Sequence, residues 1–433
     1  MTSAAACPLR PSNPGRILAS ACPIRVRLAV ACACLVAVAL LCGCAKASSV
    51  GSAESGAARE TASSATAGAA ASTTDSASPG GAADASASAT SAASVATTES
   101  LQPPSYDGYE PLVSFTYHHV DPKQKNSLTL TPATFEAQLK LLQAAGYQTV
   151  TSRDLLKHQT DGTPLPSKPV MLTFDDGWRN QYQYAAPLLD KYGFKGVFFV
   201  NPQTIGTYGA YMNRDMVISL DKRGHDIESH TWQHVRLTRK GNESAESFQK
   251  RMKRQFTLSN DWIKKVVGKR PVAICYPFGF YDTETVGFAR DGGYQLGFTV
   301  DEGVADARTW DAMVMKRFTM DRSYSLDMFK SLLGAAPLQA RDIQPGPGSR
   351  VVGLETTITI DITDVPASVK GIKIWGGPSV KATTIFEKDG RRYASAPLRR
   401  SAVGLKAITV KAKDTSGRKY YASWTLTMGD PKQ

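Results

Sequence analysis

Residues 172–178 read LTFDDGW. The apolar run KPVMLTF (168–174) ends in two adjacent carboxylates, Asp175 and Asp176, followed by Gly177 and Trp178. A run that is apolar throughout, without alternation, reads as a strand buried on both faces. Adjacent like charges repel, so two carboxylates at the mouth of such a strand need separate tasks. A cation beside one of them makes the pair tolerable.

Flanking segments repeat the pattern. LVSFTYHHV (112–120) reads as a strand, and FEAQLKLLQAAGY (135–147) has helical apolar spacing that stops at Gly146. Residues 180–192 read as a helix and GVFFV (196–200) as a buried strand. HDIESH (225–230), a long polar helix around 243–267, PVAICYPF (271–278) and YQLGFTV (294–300) follow. Apolar strands alternating with helices predict an α/β domain with a parallel sheet covered on both faces. The polar residues of interest fall late in their strands, where α/β barrels build active sites. Residues 112–335 therefore read as one barrel-like α/β domain.

Beyond the linker PGPGSR (345–350) the period changes. Short alternating runs such as ETTITIDIT, KGIKIWG and LKAITVKAKDTSG are separated by turn signals. They predict a small all-β sandwich of the immunoglobulin type. From Arg341 onward 16 Lys/Arg stand against 8 Asp/Glu, within a chain of 433 residues and formal net charge +13. Such a basic module suits an anionic partner, an anionic cell-wall polymer first, or a solvated surface. It has no recognisable nucleic-acid reader motif, so nucleic acid is not expected.

Of 7 cysteines, all but Cys275 lie within the first 44 residues, so the later part has no disulfide framework. Arg25 and Arg27 precede LAVACACLVAVALL (28–41), which has signal-peptide length and is short for a bilayer span. It ends in LCGC (41–44), which resembles a bacterial lipoprotein signal with Cys44 as the lipidated residue. An ordinary cleaved signal and an uncleaved anchor are the rival readings. Each predicts export, with lipidation adding a membrane anchor at the outer face of the bacterial cytoplasmic membrane. Residues 45–104 are mostly Ala, Ser, Thr and Gly and cannot form a core, so they read as a disordered tether. Its reach is on the order of 40 Å. The expected layout is a signal at 1–44, the tether at 45–104, the catalytic domain at 105–340 and the β-sandwich at 350–433.

Three segments gather the chemistry: TFDDG (173–177), SHTWQH (229–234) and TYHHV (116–120). His230 and His234 are spaced i, i+4, which on a helical turn offers two imidazoles to one metal. A carboxylate completes a three-ligand set with an open position for water. Four of the 6 histidines fall in these segments.

TFDDG followed about 55 residues later by SHTWQH resembles the polysaccharide deacetylase family, carbohydrate esterase family 4. The resemblance implies a distorted (β/α) barrel and a metal-dependent deacetylase. It implies Asp176, His230 and His234 as metal ligands, commonly for Zn2+, with Co2+ or Ni2+ also suited. It implies Asp175 as the general base. Two motifs depart from the common pattern. CYPFG (275–279) puts Cys275 where many members have the arginine that pairs with the catalytic aspartate. No Leu-x-His motif follows residue 300. SFTYHHVDP (114–122) resembles a subgroup that includes deacetylases of poly-β-1,6-N-acetylglucosamine and takes its acid histidine from the first strand. That implies His118 as the general acid, with His119 as the alternative, since strand neighbours face opposite ways. Arg317 is the candidate replacement partner for Asp175, against the reading of a surface arginine. Trp178, Tyr276 and Phe278 are candidate sugar-stacking residues, and the Tyr276 backbone N–H is a candidate oxyanion donor. The expected substrate is an N-acetylglucosamine-containing extracellular polysaccharide, either poly-N-acetylglucosamine or peptidoglycan. An O-deacetylase and a non-catalytic glycan-binding protein are the alternatives.

Overall fold

The computed structural model describes residues 111–306, 311–399 and 403–429. The expected signal, Cys44 and the tether lie outside the described residues.

The α/β part starts with β1 (Pro111–Tyr117) and α1 (Pro132–Ala144). Helix α1 begins at Pro132 because Thr131 caps it, its side chain accepting the Thr134 N–H. Helix α2 (Ser152–Asp161) starts in a reciprocal Thr151/Asp154 capping box and stops at Gly162 in the left-handed region. Strand β2 (Pro169–Phe174), α3 (Ala186–Lys191), β3 (Val197–Val200), α4 (Arg214–Lys222) and β4 (Asp226–Ser229) follow. Next come α5 (Ala245–Val267), β5 (Ala273–Cys275), α6 (Thr283–Asp291), β6 (Leu296–Phe298), β7 (Val304–Asp306), β8 (Phe318–Thr319) and α7 (Leu326–Leu333).

The main sheet runs β7-β1-β2-β3-β4-β5-β6, with β8 beside β1. Its pairings are parallel except β1–β7. It curls into a half-barrel rather than a regular barrel. The irregular segment Met315–Met320 crosses the open side, bridging Phe298 at Met315 and pairing with β1 at Phe318 and Thr319. Alternation within the strands sorts the core. Leu112, Met171, Val197, Phe199, Ala273, Cys275, Leu296 and Phe298 pack together in one cluster. Phe115, Leu172, Phe174 and Phe198 belong to another, shared with α1, α4 and α7.

Two expectations need correction here. The run 112–120 is not one strand: it bends at His118, and His119–Val120 pairs instead with Thr129–Leu130. The all-β part also begins before 350. Strand β9 (Ala336–Pro337) and β10 (Arg341–Gln344) already belong to its sheets, because each finds a partner strand there.

The remaining strands are β11 (Arg350–Val351), β12 (Glu355–Asp361), β13 (Lys370–Trp375), β14 (Thr384–Lys388), β15 (Arg391–Arg399), β16 (Gly404–Lys413) and β17 (Lys419–Met428). One sheet is β9-β17-β16-β13 with β11 beside β17, and the other is β10-β12-β15-β14. Ile358, Ile360, Ala394, Ile408, Val410 and Trp424 share the core of this part. The arrangement establishes two all-β sheets and no narrower class. The outer face of β17 meets the α/β part: Thr425 Oγ1 donates to the buried Asp301 (2.6 Å), which also accepts from Tyr281 Oη (2.8 Å).

Candidate metal and catalytic site

Strand β2 ends with the Asp175 N–H donating to Tyr117 O, so the acid pair emerges at the sheet's C-terminal edge. The chain then turns sharply, with Asp176 and Gly177 at φ 76° and 75°. Gly177 is needed there, because a Cβ would also meet Ile205 Cδ1 at 3.0 Å. The turn sends the two carboxylates to different neighbours.

Asp175 is buried and held by Arg317, whose Nη1 and Nη2 each donate to one carboxylate oxygen at 2.8 Å. Arg317 is 0% exposed. It also donates to Thr116 Oγ1, Thr173 Oγ1 and Thr299 O, and it lies close to Phe199 and Phe298. Cys275 Sγ sits beside both, 2.9 Å from Arg317 Nη2 and 3.4 Å from Asp175 Oδ2. Burial raises the Asp175 pKa, but the charge and bidentate hydrogen bonds of Arg317 outweigh it and lower the group to about 2. The reading of Arg317 as a surface residue is overturned. Its guanidinium reaches Asp175 from another segment and lies against the Cys275 sulfur.

Asp176 points the other way. Its Oδ2 accepts from Trp178 Nε1 (2.9 Å), while its buried Oδ1 has no hydrogen-bond partner. That oxygen lies 3.3 Å from both His230 Nε2 and His234 Nε2. His230 Nδ1 lies 2.8 Å from Cys275 O, a carbonyl that can only accept, so Nδ1 carries a proton and Nε2 is the nitrogen turned toward Asp176. Burial lowers the His230 pKa, but Cys275 and the Asp176 carboxylate outweigh it and raise it well above the usual imidazole value, so without a cation a proton stands between His230 and Asp176; a cation among the three groups would take its place. This donor set fits a metal with three protein ligands. Burial, and the charge of His230 beside it, lower His234 to about 4, leaving it neutral near pH 7 as a ligand must be. Burial also raises Asp176, yet contacts with His230 and nearby imidazoles more than offset this and keep it well below the usual range.

A second grouping, Asp175, His230 and Cys275, is also close enough to hold a metal. Arg317 already occupies Asp175 and touches the Cys275 sulfur, so a fixed positive charge opposes a cation there.

His230 and His234 do meet, with ring centroids 4.6 Å apart. The expected helical turn is absent, however. Residues 230–234 form a loop turn with Thr231 and His234 at φ 65° and 53°. Thr231 Oγ1 accepts from His234 N, and Gln255 of α5 accepts from Gln233 N. Side-chain capping, rather than helical periodicity, brings the second imidazole round.

The bend at His118 separates the two neighbouring histidines. His118 acts electrostatically on Asp175, Asp176 and His234, and its buried Nδ1 has no hydrogen-bond partner. His119 is buried against Trp178 (4.5 Å between rings), with Nδ1 3.1 Å from Asn180 Nδ2. Gln181 Nε2 ties the two mouth segments together by donating to His118 O (2.8 Å) and Asp175 O (2.6 Å).

The aromatic candidates divide. Phe278 is 58% exposed, sits at φ 59° and meets the His234 ring edge-on at 4.4 Å. Trp178 is half-buried and stacks on Tyr211 at 4.2 Å. Tyr276 is a correction. It is fully buried with its hydroxyl on Met313 O, so its ring cannot stack on a sugar. Its N–H donates to Phe298 O in the sheet and is not available as an oxyanion donor. Sequence reasoning missed Tyr211 and Gln181. Tyr211 could have been sought among the aromatic residues of the loop after β3, whereas nothing in the sequence marked Gln181.

Residues 162–297 match the family model described as polysaccharide deacetylase. Over 189 residues the chain is 32% identical to YxkH of Bacillus subtilis, a protein named for the same family; the match covers 44% of this chain and 64% of YxkH. It is 26% identical over 200 residues to the poly-β-1,6-N-acetyl-D-glucosamine N-deacetylase of Staphylococcus epidermidis, covering 45% of this chain and 68% of that protein. Among solved structures, a Streptococcus pyogenes deacetylase in complex with acetate matches 52% of this chain and 99% of its own, with 22% identity and a TM-score of 0.47. The similarity to polysaccharide deacetylases thus rests on residues 162–297, and the chain spans less than two thirds of YxkH's length.

Proposed function

We propose that this chain removes acetyl groups from N-acetylglucosamine residues of an extracellular polysaccharide, poly-β-1,6-N-acetylglucosamine first and peptidoglycan second. The observation that carries this reading is the division of labour between the two acids. Asp175 is clamped as an anion by Arg317, while Asp176 offers a bare oxygen to two imidazoles. Asp176, His230 and His234 would hold a divalent cation, zinc first and cobalt or nickel as substitutes, which would supply Lewis acidity toward the acetyl carbonyl and lower the pKa of water.

The chain's own residues do the rest. Asp175 takes the proton of the attacking water, and Arg317 holds its carboxylate in place. His118, across the mouth, gives a proton to the departing amine nitrogen. Phe278 and Trp178 line the approach for a pyranose face. The non-catalytic reading rested on the missing third-motif arginine, and Arg317 supplies that contact from elsewhere. The O-deacetylase alternative shares every group named here and separates only by substrate. We further propose export and lipid anchoring at Cys44 on the outer face of the cytoplasmic membrane, and an immunoglobulin-like class for the all-β part. Incorporation of a labelled fatty acid, lost in Cys44→Ser, tests the anchor.

The deciding experiment is acetate release from β-1,6-linked N-acetylglucosamine oligomers, peptidoglycan fragments and an O-acetylated glycan in parallel. Each is run with and without chelator and beside Asp175→Asn. Chelator-sensitive release from an N-acetylated substrate, lost in the variant, is expected. Release from the O-acetylated glycan alone replaces the reading with its alternative.

A further inference from the structure

A recess of about 470 Å³ lies where the outer face of the β13-β16-β17 sheet overhangs α7 and β8. Its lining includes Lys370, Lys373, Lys411, Lys413 and Lys419. The register makes these lysines direct neighbours. Lys370 pairs with Lys413, Lys413 with Lys419, and Lys373 with Lys411. Like charges placed directly opposite across strands are destabilising, and three adjacent strands carry such a row here. Glu302 is the one carboxylate in the lining, and it pairs with Lys411 at 2.7 Å. Among the described residues the other four lysines carry no ion pair.

The backbone is shaped to build this cluster. Lys370 and Lys373 are three residues apart on β13, which in a regular strand puts them on opposite faces. The register shifts between them, with Gly371 at φ 64°. That bulge turns Lys373 back to stand opposite Lys411, while Ile372 and Ile374 keep contact with the sandwich core. A bulge spent on adding a lysine to an already crowded row does not serve the fold by itself.

We propose that this recess binds a linear phosphodiester polymer with a sugar or polyol backbone. Lysine-only lining suits tetrahedral phosphates, which accept freely rotating ammonium donors, whereas planar carboxylates favour arginine forks. The half-buried Tyr324 in the lining, and Trp375, which is 56% exposed two residues beyond Lys373, offer apolar surface for the backbone carbons. The recess is concave and admits a strand, where a bilayer would present a flat surface. The proposal does not depend on the deacetylase reading, since none of these residues belongs to the metal site.

The test uses the full chain and a fluorescently tagged poly(glycerol phosphate) oligomer, read by anisotropy at low and at physiological salt. Expected is saturable binding that weakens with salt and is not competed by neutral N-acetylglucosamine oligomers. The triple variant Lys370→Gln/Lys413→Gln/Lys419→Gln should weaken it at least about ten-fold. Its melting temperature should equal or exceed the parent's, because the like-charge row is relieved. Lys413→Glu alone should weaken binding in the same direction and guards against a fold defect in the triple variant. Equal affinity in parent and variants, or no binding at low salt, overturns the proposal. So does a lysine-dependent preference for anionic lipid vesicles over the polymer, which would reassign the patch to a membrane surface.

Discussion

Arg317 and Asp175 are both buried, and each is the other's charge partner. Removing one leaves the other uncompensated, which costs about 3–5 kcal/mol. Arg317→Met is therefore expected to lose stability of that size in urea unfolding, together with most acetate release. His118, the proposed proton donor, has no hydrogen-bond partner at its buried Nδ1, so its loss should spare the fold. His118→Gln should lower kcat by about 10²- to 10⁴-fold and leave bound metal unchanged by elemental analysis. Asp176→Asn separates the two acids: metal affinity should fall by at least about 100-fold, measured by chelator competition, while the Arg317–Asp175 pair persists.

At the scale of elements, the sheet carries its own acid sensitivity. His225, just before β4, is buried, accepts the Gly196 N–H at Nδ1 and packs edge-on against Phe198 of β3. Burial, reinforced by Arg223 and Lys195, outweighs the pull of Asp190 and lowers it to about 4 from 6.5. Between those values the unfolded chain binds the proton that the folded chain refuses. Stability is therefore fully present above about pH 6.5 and is lost as the pH falls toward 4, by at most about 3 kcal/mol. Urea unfolding at several pH values should show this slope, and His225→Gln should flatten it.

For the whole molecule, the α/β part and the all-β part share polar contacts, one of them buried, rather than a loose linker. Thr425 meets Asp301, Lys411 meets Glu302, and Arg418 Nε donates to Gly334 O. Tyr421 of β17 packs its ring on Phe318 of β8, in the same core as α7. Truncation after residue 335 would uncover Phe318 and leave Asp301 without Thr425. The shortened chain is expected to melt lower than the full chain and to be cut faster by protease. Adding Zn2+ to the full chain should raise its melting temperature if Asp176, His230 and His234 bind it as proposed, since that grouping exists only in the folded state.

What could be read from the sequence alone follows from local pattern. The unbroken apolar run 168–174 and its neighbours marked buried parallel strands. TFDDG, SHTWQH and TYHHV marked the candidate metal and acid–base groups, because those chemistries need particular residue types at short range. Alternating runs after 350 marked the all-β part. What only the tertiary structure decided depends on segments distant in sequence. Arg317 reaches Asp175 across 142 positions, so no local spacing could distinguish it from a surface arginine. The bend that separates His118 from His119 breaks the strand period on which their assignment had leaned. Tyr276 lost its sugar-facing role because the β5–β6 pairing turns its N–H into the sheet and its hydroxyl toward Met313. The lysine row became visible only once register and a single bulge aligned five residues that the sequence scatters over three strands.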